Sequence, residues 1–244
     1  MFRIIAMLVI CLPGQAKAAD STPEDLLKIS DRSRGGLAST VTWQVEIESS
    51  EKDTKSNRGF EITAKGIDAL AKATSPSRNK GEVFLFNDRS LWFYKPGLRK
   101  PVGISSRQRL TGETSNGDIA TTNYSRDYTP TALPDDKVGE EQCHVLDLKS
   151  KNPSTTYDRI QYWISKKTKL AIKAQFQTPE GKALKNAFFK YGNTIQFEGK
   201  KLPFVSEMEI QDALMAQNKS VLKYQAPKTT QAAASVFNVN SLMR

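Results

Sequence analysis

The chain has 244 residues, with 36 lysines and arginines against 26 aspartates and glutamates, so its formal net charge is +10 at pH 7. Two cysteines exclude a disulfide-rich scaffold, and no apolar run is long enough to span a membrane as a mature helix. All-β domains of this length are commonly a single unit.

The first eighteen residues have the pattern of a cleaved secretory signal. A basic start is followed by an apolar stretch, Ile4–Leu12, and by a small-x-small cleavage site, Ala16-Lys17-Ala18. Lipidation of Cys11 is the alternative, but Ile10 is large where a lipoprotein box needs a small residue. We therefore predict a signal peptide at 1–18 and one soluble periplasmic domain at 19–244.

Signal removal would leave Cys143 as the one cysteine, so no intramolecular disulfide could form. The mature chain would keep a net charge of about +8, because Arg3 and Lys17 leave with the signal. In a periplasmic protein this charge is expected to meet anionic lipid head groups, lipopolysaccharide or an acidic protein surface rather than nucleic acid. A merely solubilising basic surface is the alternative.

The mature chain is predicted to begin with one helix. Thr22 offers a capping hydroxyl, Pro23 suits the first helical position, and Gly35-Gly36 ends the element. Strands follow, because apolar and polar side chains alternate from Val41 to Glu48 and again from Phe60 to Ala64.

A third short strand, Ile67–Ala73, leads to an aromatic hairpin at Lys80–Lys100. Its strands, Gly81–Phe86 and Leu91–Tyr94, flank a polar turn at Asn87–Ser90. Both strands are almost continuously apolar, so each of their faces needs a cover, either from the chain or from an apolar ligand.

Residues Gly103–Asp127 break the strand pattern, because they are rich in Ser, Thr, Asn and Gly and poor in apolar side chains. The sequence predicts at most one short helix here, at Ser106–Leu110. Connections of this length inside a compact domain are usually functional or mobile loops. We expect this segment to be a moving lid or a loop that faces a partner.

The rest of the chain predicts a meander of strands. These are Tyr128–Leu133, Glu141–Leu148, Asp158–Ser165, Leu170–Gln177, Asn186–Tyr191, Pro203–Ile210 and a last strand that includes Val221–Tyr224. Hairpin signals join several pairs, among them Pro134-Asp135-Asp136 and Glu198-Gly199-Lys200. Strands without intervening helices form an antiparallel sheet, and such a sheet curls around an apolar face.

The order of residues also resembles that of a known family. The matching stretches are Asp31-x-x-Arg34-Gly35, Ser75-Pro76, Lys80-Gly81-x-x-Phe84-Leu85, Leu91-Trp92-x-Tyr94-x-Pro96-x-Leu98-Arg99-Lys100, Gly117-Asp118, Asp127-Tyr128, Gly139-Glu140-Glu141, Cys143-His144-Val145-Leu146 and Phe237. With them, nearly the whole mature chain resembles the outer-membrane lipoprotein-sorting protein family of the LolA/LolB-like superfamily.

This resemblance implies a mainly β fold, a half-open antiparallel β-barrel of about eleven strands with an N-terminal helix and short helices or a loop over an apolar cavity. It also implies a carrier that takes acyl chains of a lipoprotein or another lipid through the periplasm between the inner and outer membranes. The expected partners are this cargo and a membrane transporter or an outer-membrane acceptor. A non-catalytic envelope adaptor of a transporter, with the same fold, is the alternative.

A cavity for lipid tails needs an apolar surface, and side chains on alternating strand positions offer one. The predicted cavity residues are Trp43, Val45, Phe60, Ile62, Phe84, Phe86, Trp92, Tyr94, Ile160, Tyr162, Ile164, Ile172, Phe176, Met208 and Ile210. Whether Phe84 and Phe86 or Val83 and Leu85 point inward is open, since a shift of one residue reverses the faces of a strand. For each residue, ordinary core packing is the alternative.

A second group of residues is predicted to contact the lid or a lipid head group. Its members are Leu98, Arg99, Lys100, Arg107, Arg109 and Leu110. In the best-known carriers that the chain resembles, an arginine near the cavity mouth is tied to lid opening. Arg99, Arg107 and Arg109 are the candidates for that role here.

An enzyme is the rival class, and the residues argue against it. His144 is the one histidine, and its neighbour Cys143 would point to the opposite face of a strand, so the two cannot form a nucleophile–base pair. Asp135-Asp136 and Glu140-Glu141 lie in polar, turn-like surroundings. We expect no catalysis, no cofactor, no metal site and no nucleic-acid partner, and we expect a monomer.

Overall fold

A computed structural model describes residues 21–52, 54–120 and 122–243. The predicted signal peptide, 1–18, therefore lies outside the described residues, as does the alternative lipidation site Cys11.

The described residues form two α-helices, four 3-10 turns and seventeen strands. The helices are α1 (Pro23–Arg32) and α2 (Tyr124–Asp127), and the 3-10 turns are Ser77–Asn79, Asn116–Ile119, Ala234–Phe237 and Val239–Met243. The strands are β1 (Val41–Glu51), β2 (Thr54–Lys65), β3 (Asp68–Ser75), β4 (Val83–Asn87), β5 (Ser90–Tyr94), β6 (Val102–Ile104), β7 (Arg109–Thr111), β8 (Thr114–Ser115), β9 (Tyr128–Val138), β10 (Glu141–Ser150), β11 (Arg159–Ser165), β12 (Ala171–Gln177), β13 (Ala183–Lys190), β14 (Asn193–Phe197), β15 (Lys200–Phe204), β16 (Glu207–Asp212) and β17 (Lys219–Thr229).

Thirteen of these strands form one antiparallel sheet in the order β6-β5-β4-β3-β2-β1-β17-β16-β13-β12-β11-β10-β9. Most neighbouring strands in the sheet follow each other along the chain and form hairpins. The last strand, β17, returns to pair with the first, β1. The sheet does not close on itself, so β6 and β9 remain its two edges. The predicted mainly β, half-open antiparallel fold is confirmed, with thirteen strands in the sheet where about eleven were expected.

The sheet curls because one of its faces surrounds a common core. Phe84 on β4 and Ile160 on β11 lie far apart in the strand order, yet both belong to one buried apolar cluster. On β1 the side chains alternate as predicted, with Val41, Trp43 and Val45 buried in this cluster. We call the face that carries the cluster the concave face, and the other the convex face.

The N-terminal helix forms where the sequence predicts it. The backbone N–H of Asp25 donates to the Thr22 hydroxyl at 3.2 Å, and Pro23 occupies the first turn. Leu26 and Leu27 are buried in the cluster of the concave face. Gly35, with φ 93°, turns the chain out of the helix.

The predicted strand Pro203–Ile210 is two strands. β15 ends at Phe204, the N–H of Val205 donates to the carbonyl of Ser33 outside the sheet, and β16 then pairs with β13. β14, which the sequence did not predict, pairs with β15 in a separate hairpin inserted between β13 and β16.

The predicted turn at Pro134-Asp135-Asp136 is also wrong. These residues lie inside β9, which continues to Val138, and the turn comes at Gly139, with φ 59°. β9 is an edge strand, where proline is tolerated because its missing N–H can face away from the neighbouring strand.

None of the helices in the described part of the chain has the length and apolarity needed to span a bilayer.

Candidate functional site

Twelve of the fifteen predicted cavity residues meet on the concave face. Those in its buried cluster are Trp43, Val45, Phe60, Ile62, Phe84, Ile160, Tyr162, Ile164, Phe176, Met208 and Ile210, with Phe86 packed against them. For the first hairpin strand this settles the open alternative, since Phe84 faces the concave cluster whereas Leu85 and Val83 face the convex side.

The other three predicted cavity residues lie on the convex face. Leu91 and Phe93 take the concave positions on β5, so Trp92 packs beside Leu85 in a convex cluster and Tyr94 shares its side of the strand. Ile172 packs in a second convex cluster with Cys143, Val145 and Trp163. The assignment of Trp92, Tyr94 and Ile172 to the cavity is therefore corrected. β5 is apolar on both sides, so alternation could not select its face. On β12 the pairing shifts register between Ala171 and Lys173, so Ile172 is an extra residue that leaves the alternation of Ala174 and Phe176.

Three parts of the chain cover the concave face. Helix α1 contributes Leu26 and Leu27, and the β14–β15 hairpin contributes Ile195 and Phe204, whose ring lies 5.6 Å from that of Trp43. The third part is residues 105–127, which join β6 to β9 and which we call the crossing segment. It contributes Ile119, which is fully buried.

The crossing segment is the predicted lid region, but its local structure differs from the prediction. Ser106 and Arg107 form a turn where a short helix was expected, and Arg109 begins β7. The β7–β8 hairpin then runs to β1 and β2, where the Thr111 and Ser56 hydroxyls lie 2.9 Å apart. Polar residues with many alternative hydrogen bonds do not enforce a helix.

Asp31 ties the crossing segment to α1. Its carboxylate accepts the N–H of Tyr124 at 3.1 Å, the N–H of Ser125 at 2.9 Å and the Ser125 hydroxyl at 2.8 Å. It thereby satisfies donors at the start of α2 that would otherwise lack partners. Burial raises the pKa of this carboxyl to about 6, although the hydrogen bonds from Ser125 and Tyr124 oppose the shift.

Arg34, one turn further, enters the concave cluster. It is only 7% exposed. One guanidinium nitrogen donates to the Tyr162 hydroxyl at 3.2 Å, another lies 3.7 Å from the Met208 sulfur, and the guanidinium carbon lies 4.3 Å from the centre of the Phe189 ring. The same Tyr162 hydroxyl is 2.9 Å from Ser30.

A second buried carboxyl, Asp118, belongs to the crossing segment. It accepts the N–H of Ser115 at 2.8 Å and the Tyr157 hydroxyl at 3.0 Å, and the Tyr157 ring stacks on Phe176 at 3.8 Å. Burial raises the pKa of Asp118 above its ordinary value. Through the carboxyl group of Asp118, the crossing segment is therefore hydrogen-bonded to an aromatic residue of the concave cluster, Tyr157.

Exposed ion pairs hold the rest of the crossing segment. Arg107 donates to both oxygens of Asp158, at 2.8 and 2.6 Å, and to the carbonyl of Thr155 at 2.9 Å. Arg109 pairs with Glu51 at 3.1 Å. Leu110, which follows Arg109, packs against the concave cluster. These three predicted lid residues thus lie in the cover, and their contacts bind it to the sheet.

The other predicted lid residues lie elsewhere. Leu98 is half-buried, and Arg99 and Lys100 are exposed in the connection between β5 and β6. This connection is at the opposite end of the β4–β5 hairpin from Asp88–Leu91, which line a cavity under the crossing segment. The structure does not bring Leu98, Arg99 and Lys100 together with Arg107, Arg109 or the cavity.

That cavity has a volume of about 110 Å³. It lies between the β4–β5 turn, the crossing segment and the connection from β10 to β11, and its lining includes Arg34, Tyr124, Tyr128 and Tyr157. Ligand pockets for small molecules measure roughly 300–1,000 Å³. This cavity is therefore too small for a lipid tail.

The residues weighed for catalysis have structural partners. Cys143 is fully buried in the convex cluster with Val145 and Trp163. The His144 ring lies on the other side of the strand, with Nδ1 3.4 Å from Asp135 and Nε2 3.4 Å from Lys169. Within residues 21–52, 54–120 and 122–243, no cluster of three histidine, cysteine or acidic side chains could hold a metal ion.

Sequence reasoning missed Asp31 and Arg34 as site residues. Both stand in the stretch Asp31-x-x-Arg34-Gly35, which follows the apolar stripe of α1. The sequence did contain one signal for them. Both charged residues lie within one turn of the apolar face of α1, so their side chains could have been expected near the surface on which the helix packs. Their partners are far away in sequence, which is why the pattern alone could not identify them.

A family model that carries only the description "Uncharacterized protein" matches residues 67–244. A search of curated proteins found no significant match. Among solved structures, a LolA superfamily protein from Nitrosomonas europaea aligns with a TM-score of 0.80 and 27% identity, over 91% of this chain and 99% of its own.

Two further structures have the same fold. An outer membrane lipoprotein-sorting protein domain from Vibrio parahaemolyticus gives a TM-score of 0.74 at 20% identity, over 89% of this chain and 98% of its own. A DUF1329 family protein from Desulfovibrio piger gives 0.74 at 18% identity, over 90% and 97%. The resemblance predicted from the sequence is confirmed.

Proposed function

Because this chain belongs to the family whose model matches residues 67–244 and has the LolA-superfamily fold, we propose that it is a periplasmic carrier of acyl chains. In this proposal the concave face binds the chains of a lipoprotein or another lipid, and the protein moves them between the inner and outer membranes. The donor and the acceptor would be a membrane transporter and an outer-membrane component.

One observation carries the proposal: a continuous apolar face is covered by a segment that is attached mainly through polar contacts. Arg107, Arg109 and Asp118 each bind the crossing segment by hydrogen bonds or ion pairs. Breaking such contacts changes the free energy little, because water replaces the lost protein partners. A lipid chain that packs on the uncovered apolar face, by contrast, is removed from water and thereby stabilised. A cover of this kind favours reversible opening.

Native mass spectrometry of the mature protein, purified from cell envelopes without detergent, tests the proposal. We expect an adduct that dissociates on activation and fragments as a lipid or a lipidated peptide. A second periplasmic protein from the same cells, purified in parallel, controls for adventitious lipid. Folded protein that carries no lipid and binds no acyl-chain probe would contradict the proposal and favour the envelope adaptor.

A further inference from the structure

Arg34 is a buried cation without a counter-ion. Within the described residues no carboxylate lies in ion-pair contact with it; the hydroxyl of Tyr162, the sulfur of Met208 and the ring of Phe189 are its neighbours. Asp31 and Asp118 act on it only at longer range, and the oxygens of Asp31 already accept hydrogen bonds from α2. A buried charge without a partner is strongly disfavoured, so its retention calls for a functional reason.

The polar side chains near Arg34 are mainly phenols, whose hydroxyls can both donate and accept hydrogen bonds. The phenols of Tyr124, Tyr162, Tyr191 and Tyr224 lie close enough to interact electrostatically with the guanidinium. The Tyr191 hydroxyl is buried and has no partner among the described residues. Within the described residues the guanidinium of Arg34 therefore contacts a neutral hydroxyl, a sulfur and a ring, and no carboxylate.

This donor group adjoins empty space. Arg34 lines the cavity of about 110 Å³ beneath the crossing segment. Three carboxylates share this lining, but Asp88 and Asp127 are paired with Arg126, and Asp118 accepts hydrogen bonds from Ser115 and Tyr157. The cavity is too small for an acyl chain, but a carboxylate or a phosphate has far fewer atoms. The apolar cluster begins directly beside it, since Phe189 and Tyr162 contact Arg34 and belong to that cluster.

We propose that Arg34 forms an anion subsite that binds the acidic head group of the cargo, so that the protein selects singly anionic amphiphiles and holds their chains on the concave face. This inference rests on the proposed carrier function and adds the chemical class of the cargo. The guanidinium would donate two parallel hydrogen bonds to the head group. The shared chemistry is an oxyanion, either carboxylate or phosphate.

The test compares two probes that differ only in charge: dansyl-labelled undecanoic acid and its methyl ester. Fluorescence titration of the lipid-free mature protein should show tighter binding of the acid by about tenfold to a hundredfold. In Arg34→Met the preference for the acid over the ester should fall to about one. Exchange of a buried charge for an apolar side chain of similar size is commonly tolerated, and Arg34→Lys, which keeps the charge, should restore part of the preference.

Arg58→Met is the matched control. Arg58 also lies over aromatic rings, those of Phe60 and Phe84, but it is paired with Glu82 at 2.5 Å. The preference for the acid should survive in this variant. Competition by dodecanoate, dodecyl phosphate and 1-dodecanol then separates carboxylate from phosphate, and the alcohol should compete least.

Three results would overturn the inference. They are equal wild-type binding of acid and ester, an unchanged preference in Arg34→Met, or an equal loss in Arg58→Met, which would indicate a general effect of charge. Wild-type protein that binds neither probe would contradict the carrier function itself. The two failures are therefore distinguishable.

Discussion

The two faces of the sheet are covered by segments that are attached in different ways. On the convex face, Phe237 from the C-terminal 3-10 turn packs with Leu70 and Leu85, and one hydrogen bond, from Asn87 to the carbonyl of Phe237, adds a polar contact. On the concave face, the crossing segment buries Ile119 and packs Leu110, Ala120 and Tyr124 against the cluster, and several hydrogen bonds and ion pairs also hold it. The contacts of the C-terminal segment are mainly apolar, as in a protein core. Those of the crossing segment include many hydrogen bonds and ion pairs, as in an interface between proteins.

This difference indicates which cover can move. Apolar packing gives up its full transfer free energy when it separates, and water offers no compensation. Polar contacts exchange protein partners for water, so each contributes only about 1 kcal/mol net. We therefore expect the concave cover to open in the folded protein and the convex cover to stay in place.

The largest expected effect comes from locking the concave cover. Ser56 on β2 and Thr111 on β7 have side-chain oxygens 2.9 Å apart, so the double substitution Ser56→Cys, Thr111→Cys places two sulfurs within bonding range. Under oxidising conditions the lipid-free variant should lose measurable binding of the dansyl acid, and dithiothreitol should restore it. Fluorescence titration with and without reductant measures the change.

Each single-cysteine variant serves as a control for the lock, and both should bind the probe in either condition. Cys143 is fully buried and should not compete for the disulfide. Undiminished binding by the oxidised double variant, with the disulfide confirmed by mass spectrometry, would mean that the crossing segment is not the gate.

On the convex face, Phe237→Ala should affect stability and leave binding intact. Phe237 is 5% exposed, and truncation of a buried phenylalanine lowers the free energy of unfolding by about 3–5 kcal/mol. Urea unfolding followed by circular dichroism measures the loss. Met243→Ala, at a 51% exposed position of the same segment, is the control and should change little. Probe binding that falls in Phe237→Ala while the protein remains folded would remove the distinction between the covers.

The third prediction concerns Asp31, the acidic group between α1 and the crossing segment. Burial raises its pKa from 3.8 to about 6, so the folded state binds this proton more tightly than the unfolded state does. Its contribution to stability is therefore complete below about pH 4 and is lost as the pH rises through about 6, by about 3 kcal/mol in total.

Asp31→Asn removes this titration. The free energy of unfolding of the wild type, relative to that of the variant, should fall by about 3 kcal/mol between pH 4 and pH 7. Urea titrations at several pH values measure this difference, with Asp25→Asn, a loss of an exposed carboxylate on the same helix, as the control. Parallel curves for wild type and Asp31→Asn would show that the carboxyl is not held in its buried environment.

The sequence was informative where a strand has one buried face. On β1 the alternation of Val41, Trp43 and Val45 with polar neighbours identified both the strand and its inner side. On β5 both faces are apolar, because the C-terminal segment covers the convex one, so Trp92 was assigned to the wrong side. On β12 a register shift at Ile172 turns this side chain to the convex cluster, which alternation does not reveal. The alternation of apolar and polar residues identifies the buried face of a strand only where the opposite face is exposed to solvent.

The candidate site was harder to predict than the fold for the same physical reason. Its set of apolar residues follows from local alternation, but its cover depends on contacts between distant parts of the chain. Asp31 meets Ser125, and Arg34 meets Tyr162, across about a hundred residues or more of sequence. The turn of the β14–β15 hairpin, Glu198-Gly199-Lys200, was predicted, but strand β14 was missed, and the position of the hairpin over Trp43 is a property of the folded sheet.

The smallest expected effect on stability tests the opening of the cover most directly. Arg107 and Asp158 are both about one-third exposed, so Arg107→Ala should lower the free energy of unfolding by at most about 1 kcal/mol. If cargo enters only after opening, the same change raises the open population, and hence the association rate of the dansyl acid, by up to about fivefold. Lys190→Ala breaks an exposed ion pair to Glu207 and should leave this rate unchanged, because this pair joins two neighbouring strands of the sheet, β13 and β16. Stopped-flow fluorescence compares the two variants, and equal association rates would show that opening does not limit entry.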